Sequence, residues 1–575
     1  MNLSNRVLVV GDNDLAGLTT VRSLGRAGLA VHLVAWYPHA ITRSSRYVHQ
    51  IHDFGHPERD PCSFASKIVE LVEHTPFDLV IPVVDAALIP LLDVADTVRH
   101  HCALAAPNRF QFEMTHNKGK TVRFAQRLGV DTPATTVVSQ PEHLRCIAWP
   151  ERFPIILKPA LGGRVYRVRS HAQAEQRIER MLKRGPVLVQ EFCPGYGVGV
   201  DILGNQGKVH TAFQHVRVHE PPEGGVSSYR KSVPLSEELL DIARRMCQAM
   251  QWTGPSMFEF KIDPKSGRAV LMEINGRLWG SVALAVAAGV DIPSLLYDMS
   301  VKQTATEVFT YRVPCFARNT LRDVFWFFAN LRTPTDHPEL LKVRGTALAR
   351  EIGNILLGRE HLDAEQLSDP LPGIVSWKEV GREVGARLRH KLSNVRCIGI
   401  AKRLAARVRE KDHELMRRLR ASSSALFLCQ GNINRSAFAA ERMQMNLADN
   451  SDLQLTSAGL IPEEGRRSSK YSVTMASMFG VDLSRHRSRA VTLDLIHNAD
   501  VVFVMDRNQL SQLHALDTTV LEKTALLGAL DHESSDWEIE DPDGKDYEAY
   551  YRTYAKICRC VDAWLEIRQS GQAES

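Results

Sequence analysis

No uninterrupted apolar run in this 575-residue chain approaches the roughly 20 residues that a membrane-crossing helix requires. Cysteine is sparse: ten residues, scattered singly apart from Cys558 and Cys560. That leaves no paired spacing for zinc and no framework of disulfides, and it fits a reducing compartment. Met1-Asn2-Leu3-Ser4-Asn5-Arg6 runs straight into an apolar, strand-like stretch, so a cytoplasmic location without a secretory leader is expected. There is no internal repeat and no long low-complexity tract. At 44% hydrophobic and 24% charged residues the chain is neither fibrous nor wholly disordered. A strong overall charge is lacking too: the formal net charge is +5. The basic excess is local, with 14 Lys or Arg against 5 Asp or Glu between Lys378 and Arg420. That run reads as the solvated face of a helical connector, with no nucleic-acid partner expected.

What is present is organised in four stretches. Residues 5–110 alternate apolar runs with helical patterns: Val7-Leu8-Val9-Val10, Ala30-Val31-His32-Leu33-Val34, then Leu79-Val80-Ile81-Pro82-Val83-Val84. Strands alternating with helices predict a parallel sheet. Gly11 and Gly17 after the first strand fall short of the Gly-x-Gly-x-x-Gly pattern, so NAD is not expected there. Residues 111–305 mix strands, helices and Gly-rich turns. Residues 306–420 read as mostly helical, with breaks near Pro334 and Pro370. Strand–helix alternation restarts after Ser422-Ser423-Ser424.

The sharpest motif is Leu426-Phe427-Leu428-Cys429-Gln430-Gly431-Asn432-Ile433-Asn434-Arg435-Ser436. An apolar strand delivers Cys429, Gly431 allows a tight turn, and a helical pattern starts after Arg435. Successive amides of such a loop, with Asn432 among them, converge on one point, and a helix N-terminus adds positive potential. A phosphate or a thiolate is favoured there, which makes Cys429 a nucleophile. Arg435 can grip two phosphate oxygens in a fork, and Ser436 can donate a hydrogen bond to the sulfur. The stretch resembles the Cys-x-Gly-Asn-x-x-Arg-Ser signature of low-molecular-weight protein tyrosine phosphatases. The likeness continues through Ser457-Ala458-Gly459, Leu483–Arg489, Val502–Asp506 and Asp541-Pro542-Asp543-Gly544. It implies a phosphocysteine on Cys429, with Asp541 as the acid that protonates the leaving oxygen and then activates water. Asn434 stands where many members carry a second cysteine, and Ala437 replaces the usual proline. The disulfide relay of the related arsenate reductases is not expected from Cys558 and Cys560. Tyr547, Tyr550 and Tyr551 are candidates for an aromatic rim, and helix packing explains them equally well.

A second constellation is spread out. Phe258-Glu259-Phe260 and Ala269–Asn275 read as strands joined by the turn Asp263–Gly267. A hairpin would place Glu259 and Glu273 on neighbouring strands, with Asn275 on the same face as Glu273. Two carboxylates and an amide oxygen are hard ligands suited to Mg²⁺. Pro154–Pro159 ends an apolar strand with Lys158, and Val187–Phe192 is another strand. This combination resembles the ATP-grasp superfamily, of the carboxylate–amine ligase or carbamoyl-phosphate synthase-like type. The resemblance implies ATP with Mg²⁺ (or Mn²⁺), Lys118 and Lys158 on nucleotide phosphates, and Gln190, Glu191 and Phe192 on the strand that meets adenine. It also implies Glu259, Glu273 and Asn275 as metal ligands and Arg277 as a phosphate or substrate arginine. His215, His219 and Arg230 in the Gly-rich middle are candidates for substrate contact, and a surface polar position explains each equally well.

The fold class implied is α/β. A pre-ATP-grasp α/β domain occupies 1–110 and an ATP-grasp α+β domain 111–305. A helical basic connector over 306–420 leads to a doubly wound parallel-sheet phosphatase domain over 422–570. The expected function is a ligase that activates a carboxylate as an acyl phosphate for attack by an amine, joined to a cysteine-dependent phosphatase. Its partners would be a small-molecule carboxylate and nucleophile and a phosphorylated protein or metabolite. The alternatives are a phosphatase regulated by a non-ligating ATP-binding module, and a scaffold of polysaccharide or lipid biosynthesis. For the latter, Val324-Phe325-Trp326-Phe327-Phe328 and the basic run would rest peripherally on a membrane.

Overall fold

Val7-Leu8-Val9-Val10 has no polar position, and a strand of that kind is stable when both its faces are covered. In the computed structural model Arg6–Val10 is the central strand of a five-stranded parallel sheet. The order is Val48–Asp53, Ala30–Ala35, Arg6–Val10, Leu79–Pro82, Ala103–Leu104. Val7 and Val9 pack with Leu33 and Ile81 on one side, and Leu8 and Val10 with Val34 and Val80 on the other. The structure describes residues 3–572 apart from 13–14, 146, 148, 151, 221–226, 333–349, 352, 356, 448–450 and 462. The expected break at Pro334 lies outside those residues. The chain divides into two compact units, residues 1–382 and 383–575.

The first unit carries two more sheets. Thr135–Val138, Val187–Glu191, Ile155–Pro159 and Tyr166–Val168 pair antiparallel in that order. The larger sheet has seven strands: Ala269–Asn275, Gly254–Ile262, Tyr196–Asn205, Lys208–His219, Tyr229–Ser232, Phe316–Arg318 and His361–Leu362. Its pairs are antiparallel except the last, which is parallel. Phe316–Arg318 and His361–Leu362 lie within 306–420, so part of that stretch completes this sheet. Strands of two or three residues carry no readable alternation. Buried ion pairs hold them instead: Arg318 with Glu360, Arg230 with Asp363, and Arg22 with Asp369. The aromatic run sits on the helix Thr320–Arg332. There Trp326 is buried, stacks on His219 at 3.5 Å and donates Nε1–H to the Glu220 carbonyl at 3.0 Å, while Phe328 is exposed. Helices Leu371–Arg409 and His413–Ala421 carry the basic stretch, in which Arg417 and Arg418 both pair with Glu414.

In the second unit Gln454–Gly459, Ser424–Cys429, Val501–Val504 and Thr524–Leu526 form a parallel sheet in that order. Phe427 stacks on Phe503 at 5.1 Å, and Trp564 meets Phe503 edge-on at 4.7 Å. Trp564 belongs to the helix Tyr547–Gln572. Cys558 and Cys560 are buried on that helix, and burial pushes their thiols up to about 11 and about 12. That shift runs opposite to the activation a redox thiolate needs.

Candidate active sites

In the second unit the strand Ser424–Cys429 ends at a cysteine that is 3% exposed, and the helix Arg435–Asn446 begins six residues later. The left-handed residue of the intervening turn is Asn432, at φ +49°, not Gly431. Asparagine tolerates this conformation because its side chain finds local partners. Here Asn432 Nδ2 donates to Ser436 Oγ at 3.0 Å and Ser457 Oγ at 2.9 Å, and Oδ1 accepts the Arg489 amide at 2.9 Å. His486 Nε2 meets the Asn432 carbonyl at 2.7 Å. So fixed, the loop aims at Cys429: its Sγ accepts the Asn432 amide at 3.2 Å and the Ser436 hydroxyl at 3.0 Å. Asn434 stands at the helix N-cap without a side-chain cap, which leaves first-turn amides open to a ligand.

Arg435 is 2% exposed. Its Nη1 donates to Asp506 Oδ2 at 2.8 Å and to the Ile539 carbonyl at 2.9 Å, and Nη2 donates to Asp541 Oδ2 at 2.6 Å. Burial works against its charge, but Asp541, Cys429 and Asp506 outweigh it and lift its pKa above the ordinary value. Cys429, Gly431, Asn432, Arg435, Ser436 and Asp541 thus share one pocket. Sequence reasoning gave no role to Asp506, His486 or Ser457. The signal was present, since all three lie in the stretches that extend the family likeness. Of the tyrosines, Tyr550 is buried and meets Ser469, whereas Tyr547 and Tyr551 are half-exposed against Tyr471 and Phe479.

In the first unit a cleft of about 1580 Å³ is lined by Lys118, Lys158, Glu191, Phe192, Glu259, Glu273, Asn275 and Arg277. The hairpin puts Glu259 directly opposite Glu273, and Asn275 follows two residues on, on the same face. Lys118, at the start of the helix Lys118–Arg127, donates to Glu273 Oε2 at 2.6 Å. Arg217 donates to Glu259 Oε2 at 2.5 Å, and Asn275 Nδ2 to Glu259 Oε1 at 2.9 Å. Burial and the facing Glu273 raise Glu259 above the usual carboxylate range, against the pull of Arg217. For Glu273 burial also acts upward, but Lys118 and Lys158 overcome it and hold the carboxyl low. Lys158 is nearly inaccessible, and burial lowers its pKa.

The donor set fits a hard divalent cation: two half-buried carboxylates at one register position, unstable together without positive charge, and an amide beside them. Among the described residues no group of three or more His, Cys, Asp or Glu side chains is arranged to hold a metal ion by itself. Gln190 is turned away from the cleft, where it is buried and donates to Thr135 Oγ1 at 2.8 Å. Phe192 lies under the Arg167 guanidinium at 4.3 Å. Arg277 reaches the cleft but forms a fork with Asp85 at 2.9 and 3.0 Å. His219 is absorbed in the Trp326 and Asp323 contacts, and Arg230 in its pair with Asp363.

The residue missed outright is Arg217. A Cβ on Gly197 would collide with it, and one on Gly199 with the ring of His215, so alternate glycines on one strand clear space for both side chains. His215 lines the cleft, with Nδ1 3.3 Å from the buried Asp201 carboxylate and Nε2 3.4 Å from Ser281 Oγ. Burial pushes Asp201 up, opposed by His215 and by Trp279, whose Nε1–H it accepts at 3.1 Å.

The two sites define a cysteine–arginine phosphate pocket and a lysine-and-carboxylate cleft of ATP-grasp type. Residues 424–573 match the family described as "Low molecular weight phosphotyrosine protein phosphatase", and residues 183–318 match "ATP-grasp in the biosynthetic pathway with Ter operon". The C-terminal part is 31% identical over 147 residues to the "Probable low molecular weight protein-tyrosine-phosphatase EpsP" of Ralstonia solanacearum. That match covers 25% of this chain and 97% of the relative. A further match, 26% identical over 208 residues, is to the carbamoyl phosphate synthase large chain of Pyrobaculum aerophilum, covering 32% of this chain and 19% of that protein. Among solved structures an L-amino acid ligase from Bacillus licheniformis is similar at 18% identity and a TM-score of 0.44, over 52% of this chain and 75% of that one. The chain belongs, through residues 424–573, to the low molecular weight protein-tyrosine phosphatases. The same chain carries, over residues 183–318, the ATP-grasp match.

Proposed function

We propose that the second unit hydrolyses phosphomonoesters through a covalent phosphocysteine on Cys429. The observation that carries this is the sulfur receiving two hydrogen bonds, from the Asn432 amide and the Ser436 hydroxyl, beside the buried Arg435. Both donors stabilise sulfur as an anion. Sγ attacks phosphorus, the P–O ester bond breaks, and Asp541 gives its proton to the leaving oxygen. Water, deprotonated by Asp541, then cleaves the S–P bond and releases inorganic phosphate. Arg435, held ready by Asp506 and Asp541, turns its fork onto the equatorial oxygens.

The first unit is proposed as an ATP-dependent carboxylate–amine ligase. Lys118 and Lys158 bind nucleotide phosphates, and the strand end at Glu191 and Phe192 borders adenine. Glu259, Glu273 and Asn275 would hold Mg²⁺ or Mn²⁺, which neutralises phosphate charge when bound. Arg217 and Arg277 are further cations of the cleft. His215, backed by Asp201, is placed to accept the proton that an attacking amine loses.

Two rate measurements test these readings. Cys429→Ser should abolish p-nitrophenyl phosphate hydrolysis in a folded protein, and Asp541→Asn should lower kcat by roughly 10²–10³; an unchanged rate in Cys429→Ser removes the phosphatase reading. ADP release, measured over panels of carboxylic acids and amines, should require Glu273. Equal release in wild type and Glu273→Gln across the panels would favour an ATP-binding module that does not ligate.

A further inference from the structure

Beside the nucleophile loop, residues 463–467 and 484–491 are knitted side by side. The Gly465 amide donates to the Ser488 carbonyl at 2.8 Å, and the Ser488 amide donates to the Arg466 carbonyl at 2.9 Å. The Ser488 hydroxyl donates to the Glu463 carbonyl at 3.0 Å. The 484–491 segment is anchored to the pocket: the Gly459 amide donates to the Arg489 carbonyl, and Asn432 takes contacts from Arg489 and His486. Arg466 places Nη1 3.5 Å from where a Cβ on Gly431 would stand.

Across this ribbon Arg467 lies directly opposite Arg487. Like charges at facing positions destabilise a pair of extended segments, because their side chains share one face. Ser488 is buried, so Arg487 and Arg489 flank it on the opposite, exposed side. Arg467, Arg487 and Arg489 are all exposed, and none forms an ion pair among the described residues. Arg466 has one exposed pair, with Glu463 at 3.3 Å.

We propose that this rim recognises an acidic polypeptide segment around the phosphorylated residue, with alternate carboxylates of the segment seated on Arg467, Arg487 and Arg489. The inference rests on the phosphatase reading and names the substrate class of that site. An extended peptide repeats its side chains on one face every second residue, about 6.6–7 Å apart, and Arg487 and Arg489 are likewise two residues apart, both exposed, with the buried Ser488 between them. A small phosphorylated metabolite could engage the pocket and Arg466 but would not span both sides of the ribbon. An acidic strand also relieves the Arg467–Arg487 repulsion on binding.

The test compares kcat/KM of the full chain on two phosphotyrosyl peptides, one with Asp or Glu at alternate flanking positions and one with Ser there. p-Nitrophenyl phosphate reports on the pocket. The acidic peptide should be favoured by roughly five- to tenfold at low salt, and the preference should shrink as ionic strength rises. In the double variant Arg467→Glu, Arg487→Glu the ratio of the two peptide efficiencies should fall to one or invert; a ratio does not depend on how much of the variant is folded. Equal efficiencies on the two peptides, with p-nitrophenyl phosphate still turned over, would overturn this inference alone. So would a preference that the double variant leaves unmoved, or inhibition by anionic phospholipid vesicles without any peptide preference. Absence of p-nitrophenyl phosphate turnover in the wild type would overturn the phosphatase reading and this inference with it.

Discussion

Asn432 holds the phosphatase pocket in shape with its backbone and its side chain at once, and two substitutions separate these contributions. Asn432→Gly keeps the left-handed conformation and loses the bonds to Ser436, Ser457 and the Arg489 amide. Asn432→Ala loses the same bonds and adds the steric cost of that conformation, about 1–2 kcal/mol. Both should lower kcat on p-nitrophenyl phosphate by at least tenfold. Urea unfolding should find the alanine variant less stable than the glycine variant by about 1 kcal/mol. Equal stability of the two would mean that the turn is not held left-handed. At this scale the sequence was most legible where function is local. Cys429, Asn432, Arg435 and Ser436 fall within eight residues, so one stretch displays their chemistry. It misassigned the turn to Gly431, because glycine is the default left-handed residue and the partners that let Asn432 take the role lie in distant segments. Asp506 and Arg217 act through pairings across the fold, with Arg435 and Glu259, that no local spacing encodes.

The carboxylate hairpin and its neighbour strand show the same logic at the scale of elements. The nearness of Glu259 and Glu273 on neighbouring strands was readable from the short turn, but their direct pairing was not: the turn's own register would set Met272 against Glu259, and a break in register between Glu259 and Phe260 brings Glu273 there instead. The strand Tyr196–Asn205 was harder, since the glycines within it look like weakeners of a strand until the rings opposite them are seen. Gly199→Ala tests that reading. The added methyl would displace His215 from Asp201, so stability should fall by about 1–3 kcal/mol. ADP release should fall with it, in protein whose far-ultraviolet circular dichroism is unchanged. Wild-type ADP release in this variant would show that His215 does not serve the cleft. Phe316–Arg318 and His361–Leu362 escaped the sequence because their place in the sheet comes from partners: Arg318 is buried among Glu360, Asp323 and Glu351. Their own two or three residues carry no pattern.

For the whole molecule, the strand–helix alternation at each end was legible as two α/β regions, and the structure places one site within residues 1–382 and the other within 383–575. No single helix among the described residues is long and apolar enough to cross a membrane. With separate machinery, each site should be silenced alone. Glu273→Gln should leave p-nitrophenyl phosphate hydrolysis within about twofold of wild type, and Cys429→Ser should do the same for ADP release, as independent sites behave. Loss of both activities in either single variant would reveal energetic coupling that the separate sites do not predict. The covalent intermediate on Cys429 is what the phosphatase chemistry requires first. When the full chain is mixed with p-nitrophenyl phosphate, quenched during turnover and digested, mass spectrometry should find one phosphoryl group on the peptide containing Cys429, and none in Cys429→Ser. A phosphoryl group on any other residue, or steady turnover in Cys429→Ser, would contradict it.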